Sequence, residues 1–167
     1  MKIHETIEHQ ASPQQVFEMI CSPDYQELKC TRSGAIEHEV AIEVEDDART
    51  IVIRRRLPTD RFPDFARKFV GNAVDVVETQ VWGLAPDEDG GHTASLHVEI
   101  PRTPVTMSGS LFLAPEGDGT AHTLEGELKA NVPFIGSKIE EAVAPIISSA
   151  LRLEARLSPE WFADQSG

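Results

Sequence analysis

Residues 131–151, NVPFIGSKIEEAVAPIISSAL, pass abruptly from a strand pattern into a long apolar-striped helix, and this junction constrains the possible folds more than any other feature. Pro133 ends the strand, Gly136 permits a sharp turn, and Ser137 and Glu140 stand three apart, as a capping box requires. Ile139, Val143, Ile146, Ala150, Leu153 and Leu157 follow at spacings of four, three, four, three and four. They form one apolar stripe on a helix of about twenty residues, roughly 30 Å long. Such a stripe must lie on a broad apolar surface. Pro145 interrupts the hydrogen-bond ladder and predicts a kink, and Ser158-Pro159 predicts a break or bend before Trp161 and Phe162.

The upstream chain supplies that surface. Residues 2–9 alternate as a strand, with Ile3 and Ile7 on one face. Ser12-Pro13-Gln14-Gln15 opens a short helix with a capping box, and Ser22-Pro23 opens a second that runs to about Cys30. IEHEVAIEVE, residues 36–45, sets Ile36, Val40, Ile42 and Val44 against glutamates with period two, the pattern of a strand with one wet face. Asp46-Asp47 turns it back into RTIVIRRRL, and four further strands follow at 74–82, 93–100, 105–113 and 121–130. The order is strand, two short helices, six strands, long helix. This is an α+β arrangement in which a curved seven-stranded antiparallel sheet grips a C-terminal helix, as a single domain over residues 1–167. A sheet curved around one helix leaves a space able to hold a ligand.

Charge narrows the function. With 28 acidic against 15 basic residues the net charge is -13, which argues against nucleic-acid binding and against general attraction to anionic membranes. No run is long enough for integral membrane association, and MKIHETIEHQ has no apolar signal core. Cys21 and Cys30 lack metal or disulfide spacing and read as reduced thiols of a cytoplasmic protein. HETIE and HEVAI lack the second histidine of a zinc-protease helix, and GDGTAH is a hairpin turn. No metal site, cofactor or catalytic set is expected.

Polar residues in phase with inward faces are the candidates for a site. His38 shares a face with Ile36, Val40 and Ile42, and Arg55 with Ile51, Ile53 and Leu57. Glu78 and Gln80 are in phase with Val74, Val76 and Trp82, although Val77 and Val81 support the opposite phase. His122 is in phase with Leu124 and Leu128. Arg55 and Glu78 fit a pair across neighbouring strands; alternatively, Arg54, Arg55 and Arg56 form a solvated run facing the glutamates. The expected cavity lining comprises His38, Val40, Ile42, Ile53, Arg55, Glu78, Trp82, Met107 and His122 from the sheet, with Ile139, Val143 and Ile146 from the helix. Phe62, Phe65 and Phe69, at helical spacing beside Arg61, Arg67 and Lys68, suit a plug, a lid or a membrane contact.

The opening MKIHETIEHQASPQQVFEMICSPDY, the segment FARKFVGNAVDVVETQVW and the junction GELKANVPFIGSKIE together resemble the helix-grip superfamily of START, polyketide-cyclase and birch-pollen-allergen proteins. They are most similar to its bacterial domain-of-unknown-function family 2505. The resemblance implies a cavity between sheet and long helix for a hydrophobic molecule or lipid, and it brings no catalytic set. The expected function is a binding protein. The alternatives are a cyclase or aromatase-like enzyme and a protein-interaction module with a filled core.

Overall fold

The computed structural model describes residues 1–166. The elements are β1 Lys2–His9, α1 Pro13–Ile20, α2 Pro23–Arg32, β2 Glu37–Val44, β3 Ala48–Pro58, α3 Asp64–Val70, β4 Ala73–Gly83, β5 His92–Ile100, β6 Val105–Glu116, β7 Gly119–Ala130 and α4 Gly136–Ser166. The strands form one antiparallel sheet in the order β1-β7-β6-β5-β4-β3-β2. The helix-grip architecture expected from the sequence is therefore present.

Local signals act largely as read. Ser12 Oγ accepts from the Gln15 N–H at 3.2 Å, and Gln15 Oε1 accepts from the Ser12 N–H at 2.9 Å, closing the capping box of α1. Pro23 starts α2, but the Ser22 side chain makes no capping bond. The β2 pattern misleads about burial. This strand lies at one end of the sheet, so Val44 and Ile36 are exposed and only Val40 and Ile42 pack partly on the core.

The strand-to-helix junction departs from expectation in three ways. The left-handed residue is Phe134, with φ 69°, rather than Gly136. Gly136 is needed for closeness instead, because a Cβ there would fall 2.4 Å from the Ala130 carbonyl oxygen. Glu140 does not return to Ser137; its Oε2 accepts from the Ala130 N–H at 3.1 Å and so ties helix to strand. Beyond the junction, α4 runs for 31 residues through both Pro145 and Pro159, so of the break or bend expected at Ser158 the break does not occur.

Close backbone approach also decides Gly109, which faces Gly126 across the β6–β7 pair. A Cβ on Gly109 would sit 2.0 Å from the Glu125 carbonyl oxygen and 2.5 Å from the Gly126 Cα. Backbone atoms cannot swing aside, so Gly109→Ala is expected to cost roughly 2 kcal/mol or more in a urea unfolding titration. A loss below about 0.5 kcal/mol, the range of a neutral surface change, would show that the two strands do not approach so closely.

Helix α4 packs chiefly on β1 and β7 and also touches α2, while α1 covers parts of β5, β6 and β7. One end of the concave face is thus filled. Phe17 of α1 stacks on His92 with centroids 4.2 Å apart and meets Trp82 edge to face at 5.8 Å. Toward β3, β4 and β5 the helix and sheet stand apart.

Candidate ligand cavity

The space between them is a cavity of about 910 Å³. Its sheet wall carries Leu57, Val76, Leu96, Val98, Met107 and Leu124, and its helix wall carries Val143, Ile146, Ile147, Ala150 and Leu153. Close-packed interiors hold few voids larger than a water molecule, so a space this large calls for an occupant. It also explains a feature of α4. Ile139, Val143 and Leu157 of the apolar stripe are buried, but Ile146, Ala150 and Leu153 are only half-buried, because they face the cavity instead of packed atoms. Exposed residues enter the lining at Asp60, Arg61 and Pro63 and at Glu141, Pro145 and Ser149, where the space meets solvent.

Of the residues proposed from sequence, Arg55, Glu78, Met107, His122, Val143, Ile146 and Phe62 stand on the cavity wall. The others do not. Ile53, Trp82 and Ile139 are buried in close-packed core outside the lining, Trp82 against Phe17 of α1. Val40 and Ile42 are half-buried on terminal strand β2, away from the wall. His38 shares its face with its register partner Arg55, but α2 intervenes, and His38 Nε2 meets Glu27 Oε2 at the surface. Phe65 and Phe69 are exposed on α3, whose buried residue is Ala66, so the three phenylalanines do not act as one inward face. Phe69 instead borders a separate hollow of about 250 Å³ with Arg56, Asp75 and Arg102.

The even-numbered face of β4 points inward. Arg55 Nη2 donates to Glu78 Oε1 at 3.2 Å, Gln80 Nε2 donates to Glu78 Oε2, and Trp82 Nε1 donates to Gln80 Oε1 at 2.8 Å. A second polar group joins three elements. Lys29 Nζ of α2 donates to Glu154 Oε1 of α4 at 2.8 Å, and Glu154 Oε2 lies 3.5 Å from His122 Nδ1 of β7. His9 Nε2 of β1 is 3.1 Å from His122 Nδ1, with the rings stacked at 5.4 Å. Lys29, Glu78, Gln80, His122 and Glu154 all line the cavity.

Burial and mutual charge set their protonation. Burial is the main force that holds His122 down to about 4, against the upward pull of Glu154, so the ring is neutral near pH 7. Burial likewise lowers His9. Burial works against the Lys29 ammonium, but Glu154 and then Glu78 outweigh it and raise the lysine above its ordinary value. Glu154 is the mirror case: burial opposes its charge, while Lys29 and then His122 hold it below the ordinary carboxylate value. The result is a charged Lys29–Glu154 pair beside two neutral histidines.

Lys29, Glu154 and His9 were not singled out from sequence, although each carried a phase signal. His9 is in phase with Ile3 and Ile7, Lys29 lies one helical turn after Tyr25, and Glu154 lies three residues from both Leu151 and Leu157.

A seven-stranded antiparallel sheet gripping a C-terminal helix is the helix-grip fold, the fold of START and Bet v 1-like proteins. The chain belongs to the family described as Protein of unknown function (DUF2505), matched over residues 4–162. It is 25% identical over 122 residues to the uncharacterized protein Rv0481c of Mycobacterium tuberculosis, covering 72% of this chain and 69% of that one. Among solved structures it is similar to the STAR-related lipid transfer protein of Xanthomonas axonopodis, with TM-score 0.56, 14% identity and coverage of 93% and 85% of the two chains. It is also similar to norcoclaurine synthase of Thalictrum, with TM-score 0.57, 16% identity and coverage of 96% and 94%. At such identities the likeness concerns the fold alone. Among the described residues no helix is long and apolar enough to cross a membrane.

Proposed function

We propose that this protein binds a hydrophobic small molecule or lipid in the space between its sheet and α4, acting as a single START-like domain in the cytoplasm. The observation that carries this reading is the cavity of about 910 Å³ with its largely aliphatic walls. Its volume falls in the range typical of small-molecule sites, about 300–1,000 Å³, and gives no support to a filled-core interaction module. The lipid-transfer role named for the Xanthomonas structure accords with it. The free, buried thiols of Cys21 and Cys30 suit a reducing compartment.

The polar wall keeps a cyclase-like enzyme as the second reading, because His122 and Glu154 stand where a substrate would lie. Binding is favoured over catalysis by the state of these groups. Both carboxylates are engaged by cations and the histidines are weakened as bases by burial, so proton abstraction near pH 7 lacks a strong base.

Native mass spectrometry of protein purified from its own host tests the reading. A host-derived adduct is expected, lost after organic extraction. A clean apo mass, followed by no uptake from a panel of lipids and polyketides, would overturn it.

A further inference from the structure

We infer that the ligand of this cavity carries a neutral hydrogen-bond-accepting oxygen of the carbonyl class, a ketone, ester or amide, seated against Lys29, Arg55 and His122. This deepens the binding reading above and rests on it. An inventory of donors and acceptors on the wall points there. Three acceptor oxygens are engaged: Glu78 takes bonds from Arg55 and Gln80, and Glu154 Oε1 takes one from Lys29. The donors are in surplus. An ammonium has three donors, and Lys29 spends one on Glu154. Arg55 Nε and His122 Nε2 are buried without any partner. When His9 Nε2 donates to His122 Nδ1, the His122 proton resides on Nε2, and that nitrogen is a donor as well.

The unspent donors of Lys29, Arg55 and His122, on the wall of a largely aliphatic cavity, are costly unless an acceptor reaches them. A ligand oxygen attached to an apolar body serves them while filling the aliphatic part.

Charge decides between a neutral and an anionic head. Lys29 and Arg55 are already matched by Glu154 and Glu78, and Lys29 is within electrostatic reach of all three. A ligand carboxylate seated at Lys29 and Arg55 would add a negative charge beside cations already matched, because the unpaired lining cations, Arg61 and Arg156, are exposed residues. The net charge of -13 adds long-range repulsion.

The test uses the intact protein and four probes. N-phenylnaphthylamine, a fluorescent apolar dye, reports the cavity itself, and methyl undecyl ketone, tridecanoic acid and tridecane compete for it. The dye is expected to bind, and the ketone to displace it at least ten-fold more tightly than either the acid or the alkane. In Lys29→Met/Glu154→Met, which removes the pair without leaving a lone charge, the advantage of the ketone over tridecane, both measured in the same variant, should fall ten-fold or more. The carbonyl stretch of the ketone bound to the wild-type protein should shift to lower frequency than in hexane, a readout independent of any variant's folding. Equal affinity of ketone and alkane with an unshifted stretch would overturn the carbonyl inference and leave the apolar cavity standing. Tighter binding of the acid would replace the neutral head with an anionic one. Failure of the dye and every competitor to bind would bring down the binding reading, and the inference with it.

Discussion

Lys29→Met is expected to lower the unfolding free energy by about 3–5 kcal/mol at pH 7, the usual result of removing one member of a buried ion pair. Methionine has nearly the length of lysine, so packing changes little and the loss is electrostatic. Glu154, 3% exposed, would be left charged with only the neutral His122 beside it, or would have to take up a proton. Against a typical stability of 5–15 kcal/mol this is a large fraction. The double variant Lys29→Met/Glu154→Met should recover most of the loss, because it exchanges a buried pair for apolar groups of similar volume. Urea titrations of the wild type, both single variants and the double variant close the cycle. A single-variant loss under about 1 kcal/mol, typical of an exposed pair, would mean that solvent reaches Lys29 and Glu154 freely.

Acidification should destabilise the protein before its carboxylates titrate. In the unfolded chain His122 titrates at its ordinary 6.5, and in the folded chain burial holds it to about 4. Between these values the unfolded state binds more protons, so stability rises with pH and is lost as pH falls from 6.5 toward 4. Complete loss of this contribution amounts to about 3 kcal/mol. His9 and His92 shift the same way through burial and steepen the slope. Glu154 acts in a different window: its folded value is lowered, so its contribution is present above 4.5 and lost only as pH falls below that. Lys29 is raised, and its contribution is lost only in alkali. Unfolding titrations from pH 7 to pH 4.5 should therefore show a decline that flattens in His122→Phe to the part due to His9 and His92. Identical slopes in both proteins would show that His122 is not buried neutral.

The two groups behind these predictions show how the legible and the hidden divide. Seven strands, three helix starts and the Arg55–Glu78 pairing were readable because alternation, caps and turn residues are local or nearest-neighbour properties. His122 was readable as an inward residue by its phase with Leu124 and Leu128. Its partners were not. Lys29 and Glu154 are 125 residues apart, and nothing in either segment specifies the other. Strand phase also overreached at β2, where His38, Val40 and Ile42 show the right alternation on a strand that has a neighbour on one side only.

By itself, then, the sequence determined the elements, their order and the demand that a long apolar helix lie on a curved antiparallel sheet, because period and capping act within a few residues. Tertiary structure alone decided where that helix leaves the sheet. Helix α4 sits on β1 and β7, α1 fills one end, and the remaining space is walled by residues of β3 through β7. Which inward residues meet packed atoms, as Ile53, Trp82 and Ile139 do, and which meet the cavity, as Arg55 and His122 do, follows from that placement. A void is a property of how elements stand apart, and no single segment encodes it.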